Sequence, residues 1–212
     1  MRLLLASRSP QRRAILEQLG IEFEVVVPEV EELTSGQPEA LVVENARRKA
    51  VAGVAVAAGT PPGGPTLAAK WPPKSPLEGS NSKRTPVLGV DTVVALGDAV
   101  YGKPADRDEA ESTLRVLSGA VHRVVSGICL VDDPAVGVRT ALATTMVSFR
   151  PIDEPTLAWY LDTGEWRERA GGYAIQGRGA ALVASIEGDY LNVVGLPAAT
   201  LLELEPRLLA RR

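Results

Sequence analysis

Short apolar runs of strand length alternate with stretches of helical period along most of this chain. The pattern predicts strands at residues 3–6, 23–27, 87–96, near 100, 122–131, 139–149 and 182–186. It predicts helices at residues 10–19, 41–58, 106–117 and 154–161, with one further helix near the C-terminus. Strands and helices that alternate in this way are typical of an α/β protein.

Residues 60–86 interrupt this alternation. The segment contains seven prolines and several glycines and shows no apolar periodicity. Such a composition buries too little apolar surface to offset the entropy lost on ordering. We therefore expect a mobile loop that is inserted into a single domain spanning residues 1–212.

Composition narrows the classes of function. The 212 residues are 45% hydrophobic and 23% charged, which is ordinary for a globular protein with one substantial core. The net charge of −3 provides no broad basic field, so we expect no nucleic-acid partner. No stretch approaches the ~20 apolar residues of a membrane span, and the apolar run at residues 3–6 is too short for a signal peptide. We expect a cytoplasmic protein without membrane contact.

The segment at residues 7–13 lies where the first predicted strand ends and the first helix begins. Free backbone amides and the positive end of the helix dipole suit such a place to phosphate, and arginine adds a planar set of donors. Arg12 shares a helix face with Ile15 and Leu16, so it leans toward the buried side. The pattern favours a phosphate-binding Arg12, and a purely structural basic turn is the alternative.

Asp91 lies within the apolar strand predicted at residues 87–96. A buried carboxylate is costly unless it is paired, protonated or bound to a metal ion, and one held in such a setting can accept a proton from water. Strand alternation offers another interpretation, in which Asp91 faces solvent on a half-exposed strand. Gly89 and Val93 share the face of Asp91, which favours the functional interpretation.

Two lysines and a glycine-rich segment are weaker signals. Lys49 lies on the mostly apolar face of its predicted helix, and Lys103 ends a short strand before a rigid turn. Each is also explained as a surface lysine whose stem covers apolar neighbours. Residues 170–179 are rich in glycine and include Gln176, whose amide can donate to and accept from the edge of a base. No helix pattern follows this segment, which excludes a Rossmann dinucleotide site.

Seven short motifs in the chain resemble, in content and order, those of the Maf family of nucleoside triphosphate pyrophosphatases. They lie at residues 5–12, 44–50, 88–94, 102–104, 117–122, 170–177 and 192–197. Together they extend along the whole chain apart from residues 60–86. Each motif alone is a weak signal, whereas seven in the family's order are a specific one.

The resemblance implies a mixed α/β fold like that of inosine triphosphatases, in which a central twisted mixed sheet and its helices form two lobes around a cleft. It implies an enzyme that hydrolyses a nucleoside triphosphate between the α- and β-phosphates, to the monophosphate and pyrophosphate. A divalent metal cation, Mg²⁺ or Mn²⁺, is the implied cofactor. The implied assembly is a homodimer.

The resemblance also assigns roles to individual residues. By position, Asp91 matches the residue that accepts the proton. The polar residues that line the phosphate and metal site are matched by Ser7, Arg12, Glu32, Lys49 and Lys103. We assign Lys49 and Lys103 to catalysis together with Asp91, and we assign Glu32 and Asp91 to the metal ion. Stabilisation of charge is the expected main catalytic contribution, since phosphoryl chemistry rests on positioning and electrostatics.

Three positions bear on the choice of base. Thr92 and Gln176 match the residues of dTTP/UTP-type members, whereas the 7-methyl-GTP type commonly has Gln and Glu there. Gln11, which we also place in the substrate site, lies where these types usually have Arg or Trp and matches neither. The resemblance favours dTTP, UTP or modified pyrimidine nucleotides. A 7-methyl-GTP pyrophosphatase and a nucleotide-binding regulator of cell division are the alternatives.

Overall fold

The computed structural model describes residues 2–59, 85–133 and 137–209, which form one seven-stranded mixed sheet and six α-helices. The strands are β1 (Leu3–Ala6), β2 (Phe23–Val26), β3 (Val87–Leu96), β4 (Ala99–Tyr101), β5 (Val121–Asp133), β6 (Gly137–Phe149) and β7 (Val183–Glu187). The helices are α1 (Pro10–Gln18), α2 (Pro38–Ala57), α3 (Arg107–Leu117), α4 (Glu154–Asp162), α5 (Tyr190–Val194) and α6 (Ala198–Leu204), with 3₁₀ turns at Ala170–Gly172, Arg178–Leu182 and Pro206–Leu209. The expected mixed α/β class is confirmed. The insertion predicted at residues 60–86 lies outside the described residues, except for its last two positions.

Strand β3 is at the centre of the sheet, whose order is β2-β1-β3-β5-β6-β7. β1 is parallel to β2 and β3, and the remaining pairs are antiparallel. On the edge of β3 away from β5, β1 pairs with Val87 and Leu88, and β4 pairs with Val94 to Leu96. Between them, residues 89–93 have no strand partner on that edge within the described part of the chain. The sheet therefore has a gap beside the carboxyl end of β1.

One face of β3 carries two separate apolar clusters. Leu88 and Val90 pack with side chains of β1, α1 and α6, whereas Val94 packs with side chains of α3 and α4. Thr92 lies between them, and it is opposite Ser126 in the register with β5. This polar row divides the core into two parts, in agreement with the expected two lobes around a cleft.

Helix α2 covers the other face of β3. A Cβ added to Gly89 would overlap the carbonyl oxygen of Ala46, and one added to Gly127 would lie 2.5 Å from the backbone of Val42. Gly127 is the partner of Asp91 in the register between β3 and β5. The two glycines therefore let α2 approach the sheet closely and place its middle turns over Asp91.

Two helices differ from their predicted bounds. The helix predicted at residues 41–58 begins earlier, at Pro38. Proline suits the first position of a helix, because the N–H group that it lacks would have no partner there and its fixed φ is already helical. The helix predicted near the C-terminus is broken into short pieces. Gly195, with φ of 131°, and Pro197 separate α5 from α6. The other predicted strands and helices agree with the structure to within a few residues.

Within residues 2–59, 85–133 and 137–209, no helix combines the length and apolar character that crossing a bilayer requires.

The contact between α2 and β3 leads to a first prediction. We expect Gly89→Ala to destabilise the protein by about 3 kcal/mol, at the upper end of overpacking effects, because the new methyl group meets backbone atoms that cannot rotate away. Chemical denaturation monitored by circular dichroism measures this loss. Gly102→Ala is the control, since a Cβ there would meet nothing within 4 Å. Equal stability of the two variants would contradict the close approach of α2.

A second prediction concerns Glu205, whose buried carboxylate follows α6. It accepts hydrogen bonds from Arg207 (2.6 Å) and Arg139 (2.8 Å). These bonds lower the pKa of Glu205 from 4.5 to about 2, and the bond from Arg207 contributes most. Because the pKa is lower in the folded state, the stabilisation is complete above about pH 5 and disappears as the pH falls from about 4.5 toward 2.

We expect Glu205→Gln to cost about 1–2 kcal/mol at pH 7, because a charged acceptor is lost from both arginines. The difference from the unsubstituted protein should shrink steadily in urea denaturation series between pH 5 and pH 3. Glu203→Gln, an exposed neighbour on α6, is the matched control and should change little at any pH. A difference that does not vary with pH would rule out the proposed linkage.

Candidate active site

A cleft of about 850 Å³ opens at the gap in the sheet. It is lined by the loop after β1, the start of α1, the segment after β2, the middle of α2 and β3, and the glycine-rich segment after α4. All nine residues that the sequence singled out line it: Ser7, Gln11, Arg12, Glu32, Lys49, Asp91, Thr92, Lys103 and Gln176. The volume is within the usual range for a small-molecule site.

Asp91 faces α2 and is 7% exposed. Its Oδ1 accepts a hydrogen bond from Lys49 Nζ at 2.7 Å, and its Oδ2 accepts one from Asn45 Nδ2 at 3.0 Å. The alternative of a solvent-facing Asp91 is therefore wrong, since α2 covers the face that alternation left open. Both oxygens of the Asp91 carboxylate are thus paired, and each has a second lone pair that can accept a further hydrogen bond.

The ammonium group of Lys49 joins two carboxylates. Besides Asp91, it donates to Glu32 Oε2 at 2.8 Å and lies 3.5 Å from the carbonyl oxygen of Val90. Lys49 and Asp91 are buried, whereas the Glu32 side chain is about half exposed. The pair of acids is thus held at one point of the cleft by a single cation.

Asn45 fixes the loop that carries Glu32. Its side-chain oxygen accepts from the N–H of Leu33 at 2.8 Å, and its amide donates to the carbonyl of Leu33 at 3.0 Å and to Asp91. The sequence analysis gave no role to Asn45, which precedes Lys49 by one turn of α2. An amide on an otherwise apolar face was the available signal, because such a group needs partners when buried.

Arg12 is buried on the opposite side of β3 from Lys49. Its guanidinium donates to Ser7 Oγ at 3.0 Å, to the carbonyl of Gly195 at 3.0 Å and to Thr92 Oγ1 at 3.3 Å. Burial lowers the pKa of Arg12, and the negative charges of Asp91 and Glu32 act in the opposite direction. The side chain therefore ties the loop after β1 to the segment after α5.

Thr92 and Ser126 continue this polar row across the sheet. Their hydroxyl oxygens are 2.8 Å apart, and Ser126 is fully buried. Sequence reasoning did not assign Ser126 to the site. Its place in an apolar strand next to Gly127 was the only local signal, since its partner is 34 residues away.

Three predicted residues line the cleft without a hydrogen bond to Asp91, Lys49 or the side chain of Arg12. Lys103 is 63% exposed on its side chain and donates to Glu168 Oε2 at 2.9 Å, and this bond lowers the pKa of Glu168. Gln11 accepts from Ser9 Oγ at 3.1 Å, whereas Gln176 is exposed on the glycine-rich segment. The structure thus gathers the core of the site around Asp91 and leaves these three at its rim.

The glycine-rich segment is anchored from beneath by Tyr173. Its hydroxyl lies 3.0 Å from His122 Nε2, and both rings pack edge-on against Phe149. Burial lowers the pKa of His122 to about 4 and raises that of Tyr173, so both groups are neutral at pH 7. Gly171, with φ of 67°, provides the turn that brings this segment to the cleft.

The carboxylates of the cleft include a pair that suits a divalent cation. Among the described residues, no three His, Cys, Asp or Glu side chains are grouped to hold a metal ion on their own. Glu32 and Asp91 do meet at Lys49, and both are oxygen donors. Mg²⁺ commonly uses one or two carboxylates together with substrate phosphates and water. This pair fits an ion that is bound together with a phosphorylated substrate.

Comparison with known proteins assigns the family. The profile described as Maf-like protein matches residues 2–206, which is nearly the whole chain. The chain belongs to the Maf-like family. The resemblance inferred from the seven motifs is therefore confirmed.

Curated Maf-like relatives cover most of the chain. A protein named dTTP/UTP pyrophosphatase from Symbiobacterium thermophilum is 43% identical over 92% of this chain and 88% of its own length. Proteins of the same name from Nitratidesulfovibrio vulgaris (44%, covering 95% and 85%) and a Thermoanaerobacter species (38%, covering 98% and 96%) are also similar. A solved HAM1 protein from Coxiella burnetii, with a TM-score of 0.41 and 16% identity over 70% of this chain and 73% of that one, is too remote to support a conclusion.

The contacts of Asn45 give a prediction for the site. Asn45→Ala leaves the Leu33 backbone groups and one oxygen of Asp91 without these partners. We expect a loss of about 1–3 kcal/mol in stability and faster hydrogen exchange of the Leu33 amide. Gln18→Ala, at an exposed position of α1, is the control. An unchanged exchange rate at Leu33 would show that Asn45 does not hold the loop.

Proposed function

We propose that this Maf-like protein is a nucleoside triphosphate pyrophosphatase, which hydrolyses dTTP, UTP or modified pyrimidine nucleotides to the monophosphate and pyrophosphate. The observation that carries the proposal is a buried, doubly paired Asp91 in a cleft that also holds Lys49 and Arg12. Relatives named for this activity support it, because they share about two fifths of their residues with nearly the full chain. An enzyme of this kind would cleanse or balance the nucleotide pool.

In the proposed reaction Asp91 accepts a proton from the water that attacks the linkage between the α- and β-phosphates. The P–O bond of that linkage breaks, and pyrophosphate leaves with the bridging oxygen. Lys49 and Asn45 hold the carboxylate in one orientation, so little reorganisation is needed when the proton moves. The positive charges of Lys49, Arg12 and Lys103 offset the charge that develops on the phosphate oxygens.

Glu32 and Asp91 are the residues that would hold a divalent cation, Mg²⁺ or Mn²⁺. When bound with the nucleotide, such an ion supplies neutralisation of phosphate charge. The donor set supports this assignment, because both carboxylates are directed at the same ammonium group. The Asn45 contacts keep the Glu32 loop close to Asp91.

The rim of the cleft supports the choice of base. Gln176 is exposed to the cleft, where its amide can meet the donor and acceptor edge of a pyrimidine. Thr92 is held by Arg12 and Ser126, so its methyl group and hydroxyl have a defined orientation. Gln11 is at the start of α1, on the side of the cleft formed by the loop after β1. We propose that Thr92 and Gln176 select dTTP and UTP over 7-methyl-GTP, and that Gln11 contacts the substrate without setting this preference.

Two further proposals concern the setting of the enzyme. We propose a cytoplasmic homodimer, as the family resemblance implies. Strand β2 supports association, because it is an edge strand on which Val25 is exposed. Size-exclusion chromatography with light scattering decides the oligomeric state.

The reaction is tested by product analysis. With Mg²⁺ or Mn²⁺, the protein should release pyrophosphate and monophosphate from dTTP and UTP faster than from the other nucleotides of a panel that includes 7-methyl-GTP. Release of orthophosphate would contradict the mechanism. Preference for 7-methyl-GTP would overturn the assignment of the base.

Asp91→Asn tests the proton acceptor. We expect turnover to fall by about 10²–10⁴-fold, because the amide cannot accept the proton, while the nucleotide still binds in calorimetry. Asp98→Asn is the matched control, since Asp98 is exposed in the turn between β3 and β4. Near-normal turnover of Asp91→Asn would remove Asp91 from this role.

A further inference from the structure

Three of the cations at the cleft already have partners. Lys49 is bonded to two carboxylates and near a carbonyl, Arg12 donates to three oxygens, and Lys103 is paired with Glu168. Their charges are thus partly offset by groups of the protein. A triphosphate carries several negative charges, and it needs donors that are not already committed.

Arg169 is the cleft-lining arginine with uncommitted donors and partial burial. Its Nε is buried without a hydrogen-bond partner, and its Nη1 has one long contact, 3.5 Å from the carbonyl oxygen of Glu168. A buried N–H without a partner is costly and calls for an explanation. Within the described residues Arg169 forms no ion pair with a carboxylate.

Two other arginines of the cleft differ from Arg169. Arg167 is exposed, and its guanidinium lies 4.5 Å from the ring centre of Trp166 in a cation–π contact. Arg8 also lines the cleft but is exposed, so its donors are accessible to solvent. Arg169 therefore has guanidinium donors without strong partners, and its side chain is partly buried.

The backbone beside Arg169 is also unusual. Glu168 has φ of 59°, and it is the one residue other than glycine with positive φ in the described parts of the chain. This conformation is unfavourable for a side chain with a Cβ, and such residues concentrate at functional sites. Four consecutive residues around it, 167–170, line the cleft.

We propose that Arg169 binds the pyrophosphate portion of the substrate, that is, the β- and γ-phosphates. The inference rests on the proposed function. Most of the negative charge of a nucleoside triphosphate is on these two groups, and a guanidinium can bind two phosphate oxygens side by side. Lys103, which is paired with the neighbouring Glu168, lines the same part of the cleft.

The test compares Arg169→Gln and Arg169→Lys with the unsubstituted protein in calorimetric titrations with inorganic pyrophosphate and, separately, with dTMP. We expect Arg169→Gln to bind pyrophosphate at least tenfold more weakly and dTMP within twofold of normal. Arg169→Lys, which keeps the charge without the planar fork, should fall between. In steady-state assays kcat/KM for dTTP should decrease at least tenfold in Arg169→Gln.

Arg178→Gln is the matched control, because Arg178 is exposed on the same segment and does not line the cleft. It should bind both ligands normally. Thermal melting establishes that each variant is folded, and Arg169→Lys serves if Arg169→Gln is not.

The outcomes separate this inference from the function on which it rests. Normal pyrophosphate affinity in the Arg169 variants would overturn the inference, as would an equal loss of affinity for dTMP and pyrophosphate. If the unsubstituted protein still releases pyrophosphate from dTTP in those cases, the proposed function stands. If it releases none from any nucleotide, the proposed function fails first.

Discussion

The buried ion pair of Asp91 and Lys49 is the interaction on which the site depends. A carboxylate in the central strand of a sheet is stable only because α2 brings an ammonium and an amide within hydrogen-bond distance. That approach in turn requires glycine at residues 89 and 127, where a side chain would meet the helix backbone. The close packing of α2 on β3 and the pairing of Asp91 therefore depend on each other.

The same crossing sets the position of the acidic loop. Asn45 is one turn before Lys49 on α2, so the residue that holds Asp91 also holds both backbone groups of Leu33. Glu32 is thereby kept beside the ammonium group that pairs with Asp91. On the far face of the sheet Arg12 acts in a similar way, since it connects the loop after β1 to the carbonyl of Gly195. The acidic loop and the loop after β1 are thus each tied to β3 by one long cationic side chain.

Local sequence patterns account for much of the fold, because strand alternation and helix caps are properties of neighbouring residues. β1 and β3 have the predicted bounds, and Ser9 caps α1 as Pro10 begins it. The burial of Asp91 could not be decided in this way, because it depends on a helix about 40 residues away. Ser126 and Arg169 were missed for a similar reason. The role of Ser126 depends on its contact with Thr92 on another strand. That of Arg169 depends on a buried donor, Nε, that has no partner.

The gap in the sheet beside β3 has a further consequence. When a strand is paired on both edges, a ligand can contact only one of its faces. Over residues 89–93 one edge of β3 has no strand partner among the described residues, and the cleft reaches both faces there. Consecutive residues, Asp91 and Thr92, therefore meet the same cavity from opposite sides of the backbone. Evolution can exchange the residue on one face while the other keeps its partners. Such a strand lets the two adjacent positions vary independently, because each has its own set of partners.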